Sequence, residues 1–166
     1  REFGATVIDL GGGQTTVASM RAQELQYTNI YPEGGEYVTK DISKVLKTSM
    51  QIAEALKFNF GQANLEEASS SETVSERYLS EIISARVRHI LDRVKQDLER
   101  GRLLDLPGGI VLVGGGAIMP GVVEVAQEIF GTTVKLHVPN QVGIRNPMFA
   151  NVISLVEYVG KMSEVN

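Results

Sequence analysis

The chain has 166 residues, 43% of them hydrophobic and 22% charged, which is enough for one compact domain with a real core. The net charge of −4 argues against a general nucleic-acid binder. The absence of cysteine excludes disulfides and thiolate metal sites and is consistent with a cytosolic protein. No apolar run approaches the roughly 18 residues of a membrane span. Because the chain opens almost directly on a strand pattern, we expect it to be a piece of a longer protein.

The first motif is a run of three glycines between two strand-like segments. Residues 5–10 are mostly apolar and carry Asp9 near their end. β-branched residues follow from Thr15 onward, which predicts a second strand rather than a helix. Rossmann and P-loop sites need a helix at this point, and neither of their glycine patterns is present. Gly11, Gly12 and Gly13 therefore predict a hairpin turn whose backbone N–H groups can surround an anion.

A third strand and two helices are predicted next. Residues 24–31 have the apolar and aromatic content of a strand. Spacings of three and four then predict a helical stripe made by Tyr37, Val38, Ile42, Val45 and Leu46. Ser49 is placed to cap a second helix that ends at Gly61. The side chains predicted to face inward from that helix are Ile52, Ala53, Leu56 and Phe60. Residues 63–75 are rich in Ser and Glu and predict a loop.

The longest predicted helix covers residues 75–100 and ends before Gly101. Its broad apolar face contains Leu79, Ile82, Ile83, Val87, Ile90, Leu91, Val94 and Leu98. Oppositely charged residues four positions apart are expected to support it modestly. These pairs are Arg88–Asp92, Arg93–Asp97 and Lys95–Glu99.

A second glycine turn follows another buried strand. Residues 110–113 form a continuous apolar run, which is typical of a strand covered on both faces. Residues 114–121 then turn into a helix with Pro120 expected in its first turn. A further strand over residues 134–138 and a last helix over residues 151–159 complete the pattern. The order of strands and helices predicts an α/β fold.

Both glycine turns follow apolar strands, and in an open sheet both lie at strand carboxyl ends, where ligands gather. The first turn suits phosphates, and the small residues of the second let a flat ring or a ribose approach the backbone. A single glycine-rich turn is structural more often than it is functional. Two such turns about a hundred residues apart, with helices between them, are a much more specific indication of one shared ligand site.

The two motifs resemble those of the actin, chaperone and sugar-kinase superfamily. Residues 8–16 look like its phosphate-2 motif and residues 110–121 look like its adenosine motif. Within that superfamily, residues 32–42, 54–61 and 138–147 resemble the bacterial cell-division FtsA family. The resemblance implies an actin-like (ribonuclease-H-like) mixed sheet flanked by helices, with a mainly helical inserted subdomain.

The resemblance also implies a division of the chain into two subdomains. Residues 1–32 and 108–166 correspond to a nucleotide-facing α/β subdomain, and residues 33–107 to a helical insert. Together they match the second large domain of the family. The first phosphate loop, the polymerisation subdomain and the C-terminal membrane helix of the family have no counterpart in this sequence, so half of the nucleotide clasp is expected elsewhere.

The ligand that the resemblance implies is Mg·ATP. Asp9 is either a strand-end turn acid or a water-mediated ligand of Mg²⁺, and the resemblance favours the second role. The residues implied in phosphate binding are Gly11, Gly12, Gly13, Gln14 and Thr15. Those implied at adenine and ribose are Gly114, Gly115, Gly116, Ala117 and Met119.

Two charged groups on helices have an ordinary alternative explanation. Glu54 and Lys57 share a helix face and can form a solvated ion pair. The resemblance instead places such residues at the purine and the ribose hydroxyls. His89 and His137 are far apart in sequence and show no metal-ligand or triad spacing.

The long helix also carries a basic strip, which we define as Arg86, His89 and Arg93 with the neighbouring Arg88. This strip is either a solvated flank or a partner site. The resemblance of residues 82–86 to the segment that receives the C-terminal tail of FtsZ favours the partner site, where an arginine can bind a carboxylate with charge-assisted hydrogen bonds.

The function that the resemblance implies is a cell-division adaptor that binds ATP and connects the FtsZ ring to the membrane at the septum. The complete protein is expected to be at most a weak ATPase, to self-associate into actin-like filaments and to lie at the cytoplasmic face of the division site. It is expected to reach the membrane only through a C-terminal helix absent from this chain, and to bind no nucleic acid. A PilM-like pilus-assembly protein and a sugar or metabolite kinase remain the alternatives.

Overall fold

The computed structural model describes residues 4–68, 74–139, 146–150 and 152–156. A mixed five-stranded sheet is packed against helices, so the predicted fold class is confirmed. The strands are β1 (Gly4–Leu10), β2 (Thr15–Arg21), β3 (Glu24–Tyr31), β4 (Ile110–Val113) and β5 (Val134–Leu136). The helices are α1 (Gly35–Leu46), α2 (Met50–Phe60), α3 (Leu65–Ala68), α4 (Val74–Arg100) and α5 (Val122–Phe130). Short 3-10 turns cover Gly115–Ile118 and Pro147–Phe149.

The sheet order is β3-β2-β1-β4-β5, with β1 at the centre. β1 is antiparallel to β2 and parallel to β4, and β4 is parallel to β5. β1 and β4 pair so that Asp9 lies opposite Val113. The two glycine turns that follow these strands therefore leave the sheet side by side, as the sequence predicted.

Buried and more exposed positions alternate along β1 and β2. Ile8, Leu10 and Val17 are buried on the inner face, whereas Val7 and Met20, at positions of the opposite parity, are exposed. A side-chain period of two explains this alternation. Thr6 and Ser19 are also buried on the inner face, and their hydroxyls satisfy each other at 2.8 Å across β1 and β2.

The long helix α4 covers the inner face and provides much of the core. Seven of its eight predicted apolar positions are buried, and the eighth, Ile82, packs against the core while partly exposed. The same cluster includes Ile8 of β1, Ile42 of α1 and Val125 of α5. The core is thus continuous between the two predicted subdomains, with α4 contributing to both. The division at residues 33 and 107 stays a prediction.

The helix ends follow ordinary capping rules. Ser49 caps α2 by accepting a hydrogen bond from the backbone N–H of Ile52, as predicted. Gly61 ends α2 and Gly131 ends α5, the latter with φ of +64°. The tight turn between β2 and β3 is unusual, because Ala22 and Gln23 both have positive φ although neither is glycine.

Several local predictions were wrong. Ile52 and Phe60 of α2 are 54% and 51% exposed, and Val45 is also exposed, because these helices pack through narrower faces than the pattern suggested. Pro120 precedes α5 rather than lying in its first turn, since the chain first makes the 3-10 turn. β5 is shorter than predicted, and the predicted loop contains α3.

The predicted charge pairs of α4 also need correction, because tertiary partners are preferred to the helical neighbours. Only Lys95–Glu99 forms as expected, at 3.7 Å. Arg88 and Arg93 contact acids on other elements, and Asp97 binds Arg100 at 3.0 Å.

Part of the predicted last helix lies outside the described residues, namely residues 151 and 157–159. Residues 152–156 within it are helical. Across the described ranges, none of the helices combines the length and the apolar character needed to span a bilayer.

Candidate functional site

The first glycine turn is a tight connection between β1 and β2. Its ends are joined by a hydrogen bond of 3.0 Å from the N–H of Gly11 to the carbonyl of Gln14. Gly12 and Gly13 at its tip are exposed. The Gln14 amide contacts the Thr16 hydroxyl at 3.4 Å. The tip is therefore accessible to a ligand while its base is held rigidly by the hairpin.

The second glycine turn packs directly on the first strand. Gly114 has φ of +89°, and a side chain there would overlap Asp9 Oδ1 and lie 2.7 Å from the carbonyl oxygen of Leu10. A Cβ on Gly116 would lie 2.9 Å from the same carbonyl oxygen. Only glycine permits both the positive φ and this close approach. The Asp9 carboxylate is thus placed at the junction of the two turns.

The start of α1 holds the first turn from the other side. The N–H of Gly35 donates to the carbonyl of Gly11 at 2.9 Å, and the N–H of Glu36 donates to the carbonyl of Gly12 at 2.8 Å. A Cβ on Gly34 would lie 2.5 Å from both of those carbonyl oxygens. The unpaired N–H groups at a helix start usually bind side chains or anions. Two of them are used here to fix the glycine turn.

Lys57 joins α2 to this arrangement. Its Nζ donates to the carbonyl of Gly35 at 3.1 Å, to the Thr39 hydroxyl at 2.8 Å and to Glu54 Oε2 at 2.7 Å. The Thr39 hydroxyl also contacts Glu54 Oε2. The Lys57 side chain is only 12% exposed, whereas that of Glu54 is 53% exposed. This is not a fully solvated pair, because Lys57 is committed to three acceptors near the turn.

The environment of Glu54 has two opposing effects on its pKa. Burial raises the pKa of this carboxyl, but the hydrogen bonds from Lys57 and Thr39 and the charge of Lys57 lower it by more. The pKa of Glu54 is therefore below its ordinary value. The group stays ionised and keeps acceptor capacity on its exposed side.

Two cavities adjoin these residues. A small one of about 30 Å³ lies between the turns and is lined by Gly11, Thr15, Gly34, Gly35, Gly116 and Met119, among others. An open cleft of about 680 Å³ lies between α1 and α2, and Glu36, Thr39 and Glu54 contribute to its walls. Phe58, which is 86% exposed, also lines it. The volume of the cleft is within the range of small-molecule sites.

The structure brings several of the predicted ligand residues together. Gly11, Thr15, Gly116 and Met119 share the small cavity, and Lys57 reaches the turn through Gly35. Ala117 is buried beneath the second turn, while Gly115 is exposed at its surface. Their roles in nucleotide binding stay predictions.

The basic strip lies elsewhere and is occupied by acids of this chain. Arg86 donates to both carboxylate oxygens of Asp41, at 2.6 and 3.1 Å, and to Glu33 at 3.0 Å. Arg93 contacts the other oxygen of Glu33, and His89 Nε2 lies 3.5 Å from the oxygen that Arg86 binds. The hydrogen bonds to Asp41 raise the pKa of Arg86 above its ordinary value. These side chains are therefore internally paired, which the sequence alone did not indicate.

Arg88 points to a different neighbour. Its guanidinium makes two hydrogen bonds to Glu128 of α5, at 2.9 and 2.6 Å. It therefore does not share the acidic partner of the other three residues, and their predicted role in partner binding is untested.

Sequence analysis missed the contribution of residues 33–36 and of Thr39. Glu33, Gly34 and Gly35 connect the first turn to α1 and to α4. The signal that was available is the pair Gly34-Gly35 directly after Pro32-Glu33, since paired glycines allow two backbones to approach closely. Thr39 lies one turn into α1 and carried no such signal.

Within the part of the chain that the structure describes, no group of three or more His, Asp or Glu side chains is arranged to hold a metal ion. Asp9 fits the water-mediated role, because Mg²⁺ typically uses one or two carboxylates, substrate phosphates and several waters.

The sheet order, the paired glycine turns and the helical insert define the class of this protein as actin-like. MreB5 of Spiroplasma citri bound to AMPPNP has the same fold, with a TM-score of 0.73 and 18% identity over 98% of this chain and 55% of that one. A chain of the PilM-PilN type IV pilus biogenesis complex also matches, with a TM-score of 0.70 and 16% identity over 89% of this chain and 43% of that one. At these identities the likeness shows the fold alone.

The family is shown by sequence. The family model described as "Cell division protein FtsA" matches residues 6–154. FtsA of Streptococcus pneumoniae is 64% identical over 179 aligned positions, which cover 100% of this chain and 39% of that protein. The chain belongs to the FtsA family of cell-division proteins. It spans about two fifths of the length of the curated relatives it matches.

Proposed function

We propose that this chain is the part of an FtsA-type division adaptor that holds one side of Mg·ATP and captures the C-terminal tail of FtsZ. The observation that carries the nucleotide proposal is the contact of Asp9 with Gly114, which joins the two glycine turns at one edge of the sheet. The first turn takes the phosphates, and residues 114–117 take the adenosine. Glu54 is the acceptor for a ribose hydroxyl, since its charge is maintained at the cleft.

The magnesium proposal is supported by the charges around the first turn. Asp9 is on one side of it, and Glu36 Oε1 lies 4.0 Å from the Cβ positions of Gly12 and Gly13 on the other. A phosphate group beside two carboxylates is unfavourable unless a cation lies nearby. Asp9 is the residue that would orient the waters of that ion.

The nucleotide proposal can be tested by calorimetric titration of the complete protein with ATP, with and without Mg²⁺. Asp9→Asn should lower the Mg²⁺-dependent affinity by about 10- to 100-fold, the usual effect of an outer-shell ligand. Asp105→Asn is the matched control, because Asp105 is an exposed acid in the loop before β4. The isolated chain should bind ATP more weakly than the complete protein. Equal affinity of parent and Asp9→Asn would exclude Asp9 from the site.

The partner proposal concerns the basic strip on α4. Arg86 uses three of its five N–H donors within the chain, so two remain for a carboxylate of the tail. Arg86→Ala should weaken binding of a labelled FtsZ tail peptide by one to two decades, as expected for about 1.5–3 kcal/mol from a charge-assisted bond. Arg86→Lys should recover only part of the lost affinity for the tail peptide, because lysine lacks the planar guanidinium that can bind a carboxylate with two hydrogen bonds.

The matched control for Arg86 is Arg77→Ala. Arg77 is on the same helix but is more exposed and pairs only weakly, with Glu81 at 3.6 Å. Added salt should weaken tail binding by the parent, since the strip is partly exposed. Fluorescence anisotropy is sufficient as the readout. If folded Arg86→Ala binds as tightly as the parent, the tail site lies elsewhere.

With these two sites the complete protein would act at the cytoplasmic face of the membrane at the division septum, where a separate helix would hold it. It would bind ATP, form actin-like filaments and hydrolyse ATP weakly at most. Family membership supports this adaptor role over the kinase alternative. The likeness to a chain of the PilM-PilN complex is a likeness of fold and does not favour the pilus-assembly alternative.

A further inference from the structure

The carboxylate of Glu33 lies at the centre of the basic strip. Arg86 Nη1 donates to one of its oxygens at 3.0 Å, and His89 Nε2 lies 3.5 Å from the same oxygen. Arg93 Nη1 donates to the other oxygen. The Glu33 side chain is only 12% exposed, so it fills the space between the three residues. A carboxylate of this chain therefore occupies the position that a carboxylate of an acidic peptide would take.

Loss of the contact with Glu33 would free the guanidinium of Arg93 more than that of Arg86. The Arg93 side chain is 45% exposed, and its ring contact with Tyr31 places the guanidinium 5.7 Å from the ring centroid. Arg86, by contrast, keeps both hydrogen bonds to Asp41 if Glu33 leaves. Departure of the Glu33 side chain would thus free one guanidinium and leave the other in position. It would not leave a buried charge unpaired, which is the usual reason that breaking an ion pair destabilises a protein.

The backbone of Glu33 is attached to the first glycine turn. The Thr15 hydroxyl donates to the carbonyl of Glu33 at 2.8 Å. Two and three residues later, the backbone N–H groups of Gly35 and Glu36 donate to the carbonyls of Gly11 and Gly12. A ligand that moves the turn therefore acts on the backbone of Glu33 within three residues.

The direction of this effect follows from the chemistry of the Thr15 hydroxyl. A hydroxyl has one proton, so it cannot donate to the Glu33 carbonyl and to a phosphate oxygen at the same time. Thr15 is fully buried in this structure, so a phosphate reaches its hydroxyl only when the glycine turn moves. A phosphate that then takes this hydrogen bond removes one attachment of Glu33. The ligand then favours the state in which the basic strip is open.

We propose that Glu33 is an internal competitor that covers the basic strip, and that a phosphate ligand at the first glycine turn favours its release. Glu33 is a positioning residue, since it acts on the partner through the arginines. This inference rests on the proposed function, because it takes the FtsZ tail as the acidic peptide and Mg·ATP as the ligand. Couplings of this kind typically change affinity by about 5- to 150-fold, and they are reciprocal.

The test uses the complete protein and a fluorescently labelled FtsZ tail peptide, with anisotropy measured in the presence and absence of Mg·ATP. Glu33→Gln should bind the tail at least about fivefold more tightly than the parent without nucleotide. Mg·ATP should strengthen tail binding by the parent about fivefold or more and should have little effect on Glu33→Gln. Glu99→Gln is the matched control, because it also removes one negative charge, here from α4, and among the described residues Glu99 pairs with Lys95 and not with the basic strip. It should bind as the parent does.

A second measurement needs no variant. By reciprocity, saturating tail peptide should raise the affinity of the parent for Mg·ATP by the same factor. The inference is overturned if Glu33→Gln binds the tail no more tightly than the parent, if Glu99→Gln gains equally, or if nucleotide and tail do not affect each other in the parent. Those outcomes leave tail capture itself intact. Failure of the parent and of every variant to bind the tail would instead overturn the proposed partner, and this inference with it.

Discussion

Gly114 and Asp9 occupy adjoining space at the carboxyl ends of β4 and β1, so that a side chain on Gly114 would overlap the Asp9 carboxylate. This contact connects the two glycine turns, which are about a hundred residues apart in the sequence. It depends on a residue without a Cβ and on a positive φ at the same position. The relative position of the two glycine turns therefore depends on this close approach.

Gly114→Ala should destabilise the chain strongly. Alanine is strained at φ of +89°, and its Cβ also meets Asp9 Oδ1 and the Leu10 carbonyl. Gly131→Ala separates the two effects, because Gly131 has φ of +64° but nothing within 4 Å of its Cβ position. In urea unfolding we expect Gly131→Ala to cost about 1–2 kcal/mol and Gly114→Ala clearly more. Equal losses of unfolding free energy in the two variants would mean that Asp9 moves away from the new Cβ at no cost.

Replacing the turn between β2 and β3 should stabilise the chain. Ala22 and Gln23 have φ of +52° and +67°, a geometry for which Asn-Gly is the preferred hairpin sequence. The double substitution Ala22→Asn with Gln23→Gly should raise the free energy of unfolding by about 1 kcal/mol. Thr28→Gly within β3 is the control and should lower the free energy of unfolding, since Thr28 pairs with Ala18 in the ladder and glycine weakens a strand. A loss of stability in the double variant would contradict the turn geometry.

Asp97→Asn should lower stability near neutral pH. Asp97 Oδ2 accepts hydrogen bonds from Tyr31 at 2.7 Å and from Tyr27 at 3.3 Å. The bond from Tyr31 is the main reason that the pKa of Asp97 is below its usual value. A hydrogen bond to a charged group contributes on the order of 1.5–3 kcal/mol, and Asn keeps part of it, so we expect a loss of about 1–2 kcal/mol.

The sign of the pH dependence is fixed by that lowered pKa. A carboxyl whose folded pKa is depressed stabilises the fold above its unfolded pKa of about 3.9 and loses this contribution as pH falls through the folded pKa. The stability difference between the parent and Asp97→Asn should therefore be constant near neutrality and shrink below about pH 4. Urea unfolding between pH 2 and 7 measures it. A difference that widens on acidification would contradict this assignment.

Ser80→Ala should be neutral or stabilising by about 1 kcal/mol. Ser80 is fully buried on α4, and its hydroxyl has no hydrogen-bond partner among the described residues. Burying an unpaired hydroxyl is costly, and alanine removes it with little change of volume. Ser84→Ala is the control one turn later, because the Ser84 hydroxyl accepts a hydrogen bond from Arg88 at 3.4 Å. In thermal unfolding, Ser80→Ala should have a higher melting temperature than Ser84→Ala.

Glu54→Ala in the complete protein should weaken ATP binding by about tenfold if the carboxylate accepts a ribose hydroxyl, which corresponds to roughly 1.4 kcal/mol. Gln51→Ala is the control, because Gln51 lines the same cleft on α2 but makes none of the contacts of Glu54. Calorimetry gives both affinities. Equal ATP affinities of the two variants would exclude Glu54 from ribose binding and leave it a structural role through its contacts with Lys57 and Thr39.

The strands and the long helix were predictable because their signals are local. The run before Gly114 and the apolar face of α4 reflect burial, and burial follows from the period of the apolar residues. The Ser49 cap was predictable for the same reason, since donor and acceptor lie three residues apart. The outward positions of Ile52 and Phe60 were not predictable, because the elements that pack against a short helix decide which of its faces is buried.

The candidate site was predictable only in part. Glycine runs and the position of Asp9 are visible in the sequence, and they indicated one ligand at two turns. The partners of charged residues were not visible. Arg93 has Asp97 one helical turn away, yet it contacts Glu33, which is 60 positions distant in the chain. A neighbour on the same exposed helix face contributes only a few tenths of a kcal/mol, so a less exposed acid from another element is preferred.

The sequence by itself therefore determined the element types, the two glycine turns and the family, because these depend on local backbone preferences and on motif order. Only the tertiary structure decided that Gly34 and Gly35 hold the first turn, that Lys57 reaches the carbonyl of Gly35, and that Glu33 covers the basic strip. Hydrogen bonds and ion pairs between distant segments need donor and acceptor within about 3 Å. Whether two distant groups come this close depends on how whole helices and strands pack together, and no local sequence pattern encodes that packing.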